Sequence, residues 1–216
     1  DHRLENELRR YGDPVAPTLL DDELSHETVQ ALMTAVEDHY PVAQEYFRLK
    51  ARALGLDRLA THDVLAPYPE AEKGVAWADA QTEVLRAFGA VDGGLASIAQ
   101  AFFDERRIDA APRAGKRDGA FCAGMVPGLA PRVLMNFTGR LPDAMTLAHE
   151  LGHGVHFALA GEKQTLLNYW PTTPMAETAS VFGEMMLARN LLDQERDPGV
   201  RRQLLASRIE DAEPVV

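Results

Sequence analysis

Apolar residues recur at helical spacing through almost the whole chain before residue 112. In SHETVQALMTAVEDHYPVAQEYFRLKARALG, Val29, Leu32, Met33, Val36 and Tyr40 mark one face of a helix. Ser25 suits its N-cap and Glu27 its first turn, and Pro41 either kinks the helix or divides it. The following stretch, THDVLAPYPEAE, is a loop, with helix interrupted by Pro67 and Pro69. AEKGVAWADAQTEVLRAFGAV and GLASIAQAFFDER then give two further helices, broken around Asp92-Gly93-Gly94.

The pattern changes at PRAGKRDGAFCAGMVPGLAPRVLMNFTGRLP. Gly and Pro are dense here, and two apolar runs of strand length, GAFCAG and RVLMNF, flank the turn-rich VPGLAP. That arrangement predicts an antiparallel hairpin. Pro142 sits where proline is tolerated, near the start of a helix over about 142–160. PMAETASVFGEMMLARNLL is another helix, with Pro174 near its start. The expected fold is mainly α, with a small antiparallel β-hairpin or sheet before the histidine-bearing helix. Residues 1–115 form a helical part and residues 116–216 a core of hairpin and two helices, within one continuous, truncated domain.

Composition narrows the function. The chain has 216 residues, 46% of them hydrophobic and 25% charged, enough for a real core. A net charge of -11 argues against nucleic acid or an anionic membrane surface as a partner. No apolar run approaches the roughly 20 residues a membrane helix needs. A single cysteine, Cys122, excludes an intramolecular disulfide and suits a reducing, cytoplasmic setting. The chain opens without methionine on a charged, helical stretch and stops at EDAEPVV. We expect a piece of something longer.

The chemistry centres on TLAHELGHGVHF. His149 and His153, four apart on a helix, can both direct an imidazole nitrogen at one zinc ion. Glu150 lies beside the first of them, close enough to take a proton from water without itself being a ligand. The plainer alternative is a solvated helix that carries histidines by coincidence. A metal site needs a third ligand, and the next helix offers Glu177 and Glu184, seven apart on one face among Met175, Val181, Phe182 and Met185. They are either an exposed stripe or, respectively, a zinc ligand and a carboxylate supporting a ligand histidine. His156 is an ordinary interior or surface histidine, and Cys122 a small strand residue. Tyr169 and Trp170 are core or loop packing, with a substrate-facing role as the alternative.

Four blocks in order, KRDGAFCAG, PRVLMNFTG, TLAHELGHGVH and MAETASVFGEMML, resemble the oligoendopeptidase F branch of the thimet-oligopeptidase-like zinc metallopeptidases. LGLDRLATHDVLAP resembles the segment that precedes them. The resemblance implies a zinc metalloendopeptidase of short peptides with one Zn2+ per chain, bound by His149, His153 and Glu177. It gives Glu150 as general base and Glu184 as a further acidic position. It also implies that the backbone of Gly119, Ala120, Phe121, Cys122 and Gly124 is an edge strand along which an extended peptide lies, held by main-chain hydrogen bonds. Members of that branch are longer, and a later portion carries His and Tyr residues that stabilise the oxyanion. Nothing after Glu184 here contains either type, so the expectation is a chain that binds zinc and hydrolyses weakly. Two other classes stay open. Glu150-x-x-His153 with Glu23-x-x-His26 is the paired half-motif of a di-iron carboxylate bundle, and a non-catalytic helical module could retain the motif.

Overall fold

Local signals set most of the helix boundaries. In the computed structural model, which describes residues 2–64, 66 and 74–212, helices α1 (His2–Arg9) and α2 (Ala16–Asp21) precede α3 (His26–Ala53). Ser25 caps α3, its hydroxyl accepting the Thr28 amide at 3.1 Å. The helix runs unbroken through Pro41, so the proline neither divides nor ends it. Its buried residues are Ala43, Tyr46, Lys50 and Ala51. The stripe expected to face a core lies largely open, with Leu32 61% and Tyr40 49% exposed. Periodicity identifies the apolar face of a helix but not what covers it. The prolines assigned to the next loop, Pro67 and Pro69, lie outside the described residues.

The chain divides into two compact units, one of residues 1–69, 172–174 and 209–216, the other of residues 70–171 and 175–208. In the first, Lys50 is fully buried. Its Nζ donates to the Val64 carbonyl at 2.7 Å and to Glu210 Oε1 at 2.5 Å, and Tyr46 donates to the same oxygen. A buried ammonium is tolerated only with such partners.

The second unit holds α4 (Trp77–Val91), α5 (Gly93–Asp104), β1 (Ile108–Asp109), β2 (Phe121–Ala123), β3 (Arg132–Leu134), α6 (Leu141–Lys163), most of α7 (Thr173–Gln194) and the first part of α8 (Pro198–Ala212). The break before α5 is a cap. Asp92 Oδ1 accepts the amides of Gly94 and Leu95 at 2.7 and 3.2 Å. β2 and β3 form the expected antiparallel pair, with Cys122 opposite Val133. A third strand makes the sheet mixed. β1 runs parallel to β3 on its far side, in the order β1-β3-β2. Two residues are too few to leave an alternating pattern, which is why the sequence did not reveal β1. β2 lies at one edge.

Val84, Phe88, Ala99, Phe102, Met135, Leu147, Leu151 and Leu187 form the centre of this unit's core. Within it α6 and α7 cross at backbone contact, and glycine makes the crossing possible. A Cβ on Gly152 would lie 2.5 Å from the Ala179 carbonyl oxygen, and one on Gly183 would lie 2.5 Å from that of Ala148. This reciprocal approach brings the face of α6 carrying the histidines against the face of α7 carrying the glutamates.

Candidate metal centre

α6 begins where Asp143 Oδ2 accepts the backbone amides of the N-cap residue Arg140 at 3.1 Å and of Thr138, in the preceding loop, at 2.6 Å. It continues to Lys163, slightly past the expected end near Gly161. His149 and His153 stand one turn apart, their rings 4.9 Å between centroids and nearly perpendicular. Glu177 reaches them from the first turns of α7. Its Oε2 lies 3.4 Å from His149 Nε2 and 3.7 Å from His153 Nε2. One donor atom from each of the three lies within 4.8 Å of the others. Both imidazoles are half-buried, whereas Glu177 is exposed and accepts the Ser180 hydroxyl at 2.8 Å.

Both histidines have further hydrogen-bond partners. His149 Nδ1 meets Glu184 Oε1 at 2.6 Å. The His153 ring hydrogen-bonds the Ala176 backbone. Glu184 in turn accepts Arg208 at Oε2, 2.7 Å away. The hydrogen bond to Glu184 raises the pKa of His149, while burial lowers that of His153.

Glu150, next to His149 on α6, is 5% exposed. Its Oε2 is the one buried side-chain oxygen without a hydrogen-bond partner among the described residues. Burial pushes its carboxyl up to about 7, against the lowering influence of His149 and a hydrogen bond from the Cys122 backbone. That last contact sets β2 directly beside Glu150. A carboxylate with a free buried oxygen and a raised pKa is equipped to exchange a proton near neutral pH.

The sequence-derived set therefore gathers in one place: His149, Glu150, His153, Glu177 and Glu184, with Cys122 alongside. Phe121 and Cys122 lie on the edge strand, Ala120 and the exposed Gly119 (φ 80°) lead into it, and the buried Gly124 follows it. A Cβ on Gly124 would lie 2.4 Å from the Phe157 ring, so this glycine seats β2 against α6. His156 is outside the cluster. The Cys122 thiol is pushed up to about 12, chiefly by burial and secondarily by the charge of Glu150, which suits a strand residue and not a nucleophile. Tyr169 is buried against Phe157, with ring centroids 5.5 Å apart, and packs as core; Trp170 beside it is 56% exposed. Glu23 has φ 56° and precedes the Ser25 cap. The second Glu-x-x-His half-motif is therefore not formed on a helix, and the di-iron reading loses its geometry. Sequence reasoning missed Arg208, on a helix with no motif, and the close-approach glycines Gly152 and Gly183. The dense Gly pattern of HELGHG was the available signal for Gly152.

The model of Peptidase family M3 matches residues 2–213. The chain belongs to that family. It is 31% identical over 210 residues to an oligoendopeptidase F homolog of Lactococcus lactis and 26% identical over 204 residues to the oligopeptidase PepF of Bacillus subtilis. Each alignment covers 94% of this chain, but only 34% and 30% of those relatives, so the chain spans about a third of their length. In fold it is similar to a solved structure from Chlamydophila abortus described as a peptidase (TM-score 0.82, 23% identity, 98% of this chain and 35% of that one). A Bacillus anthracis structure described as an oligoendopeptidase F is similar too (TM-score 0.80, 19% identity, 96% and 39%). The mainly helical architecture with a small sheet is thus that of M3 peptidases. No helix among the described residues is long and apolar enough to cross a membrane.

Proposed function

We propose that this chain is the metal-binding part of a zinc-dependent endopeptidase acting on short peptides. The observation that carries the reading is the convergence of His149, His153 and Glu177 within 4.8 Å beside the unpartnered, buried Oε2 of Glu150. Two imidazole nitrogens and one carboxylate oxygen are a donor set suited to a single zinc with an open position. The M3 family match and the oligopeptidase names of the relatives support a peptide substrate. The lone Cys122 supports a reducing, cytoplasmic setting.

In this reading His149, His153 and Glu177 hold the metal. When bound, zinc supplies Lewis-acid polarisation of a carbonyl and makes water more acidic. Glu150 Oε2 takes the proton of the attacking water and delivers it to the departing amine nitrogen. The backbone from Gly119 to Gly124 holds an extended peptide by strand addition at the β2 edge, so main-chain groups fix the substrate whatever its side chains. Cys122 joins the two functions: its backbone holds Glu150 in register with the strand on which the peptide lies.

Short-peptide hydrolysis by Glu150→Gln at matched metal content tests this. The expected loss is about 10²–10⁴-fold, the usual contribution of a general base. Unchanged hydrolysis would remove Glu150 from the mechanism.

A further inference from the structure

The hydrogen-bonded chain behind His149 does not stop at Glu184. Glu184 Oε1 engages His149 Nδ1, and its other oxygen, Oε2, is engaged by Arg208. All three side chains are largely buried, 26%, 18% and 21% exposed in that order. A carboxylate this enclosed needs a partner charge. Its two oxygens are chemically equivalent, so one hydrogen bond leaves it free to rotate. Two opposed ones do not.

Arg208 is itself delivered with care. α8 starts at a cap in which Asp197 Oδ1 accepts the amides of Gly199 and Val200 at 2.7 and 3.0 Å. Arg201, two turns before Arg208, donates to the carbonyls of Leu192 and Glu195 at the end of α7. Arg201 thus ties α8 to the same helix that carries Glu177 and Glu184.

We propose that Arg208 is a positioning residue for the metal centre. It holds Glu184 in the one orientation that accepts from His149 Nδ1–H, so that the His149 Nε2 lone pair faces the cluster. It also keeps Glu184 from turning into the cluster as a competing ligand. The role rests on the zinc reading above, through His149.

The test uses the full chain with Arg208→Met, Arg208→Lys, Glu184→Gln and the double variant Glu184→Gln/Arg208→Met. Zinc affinity is read by competition with a chromophoric chelator, and thermal unfolding of the metal-free proteins is followed in parallel. Arg208→Met is expected to weaken zinc about tenfold, the lower end of the range for partners of ligand histidines. Arg208→Lys restores most of that loss. In the Glu184→Gln background, Arg208→Met adds nothing further, because its effect passes through Glu184. A change of less than about twofold in Arg208→Met, or losses that multiply in the double variant, would overturn the role. Should Arg208→Met lose cooperative unfolding, Arg208→Gln takes its place.

A second readout needs no metal. The hydrogen-bonded imidazole proton of His149 is expected as a downfield resonance in the metal-free parent and Arg208→Lys, and to broaden away in Arg208→Met. Its persistence in Arg208→Met would contradict the proposal. Failure of the parent to bind zinc would instead sink the zinc reading, and the imidazole proton would still decide whether Arg208 positions His149.

Discussion

The α6–α7 crossing and the long helix α3 are both rich in large apolar side chains, yet they end in opposite situations. At the crossing, Leu147, Leu151 and Leu187 are completely buried and the backbones touch through Gly152 and Gly183. Along the first half of α3, Leu32, Met33, Val36 and Tyr40 remain exposed. The difference lies in the small residues. Glycines allow two helices to approach until side chains from both point into one volume, whereas a stripe of large residues alone fixes only an orientation. The His149–His153–Glu177 cluster sits at the crossing because two histidines on one helix cannot complete a site. A second helix must come close enough to supply Glu177.

Substitution at the crossing itself should be the most damaging change. Gly152→Ala places a methyl against the Ala179 carbonyl, and backbone cannot give way as a side chain tip can. Overpacking costs about 1–3 kcal/mol in ordinary cores, and here we expect the top of that range or beyond. The proposed metal site should be lost with it, as thermal unfolding and zinc titration on one sample would reveal. Retention of both stability and zinc binding would mean that the close approach is not what assembles the cluster.

Phe102, fully buried and in the path of any side chain at Gly154, should cost about 3–5 kcal/mol as Phe102→Ala in denaturant unfolding. Leu32→Ala on the exposed stripe of α3 should stay within about 0.5 kcal/mol. Equal costs would show that the α3 face is covered in solution.

The smallest perturbation leaves the sequence intact. The Cys122 thiol, raised to about 12, is neutral at pH 8, and its thiolate appears only as pH climbs toward that value. Alkylation at pH 8 should therefore run at least about a hundredfold slower than for a free cysteine of pKa about 8.5, accelerating with pH. Rapid labelling at pH 8 would mean that β2 is not seated against α6 as described.

Much of the site was legible because its members follow local rules. Four-residue spacing placed His149 and His153 on one face, and a carboxylate in an apolar helix singled out Glu177 and Glu184. The hairpin announced itself through two apolar runs around VPGLAP. What escaped depends on contacts distant in sequence. Arg208 acquires its role only when α8 returns toward Glu184. β1 is two residues long and exists only because β3 hydrogen-bonds to it. The exposure of the α3 stripe is likewise a tertiary fact, since periodicity is the same whether a face is covered or open.

In the proposed function, α6 and α7 together build a three-ligand zinc site. Elemental analysis of the chain purified without chelator, alongside Glu177→Ala, tests it most directly. About one zinc per parent chain and little in the variant is expected, with both proteins folded. Equal zinc in the two, or none in the parent after zinc is added back, would contradict it.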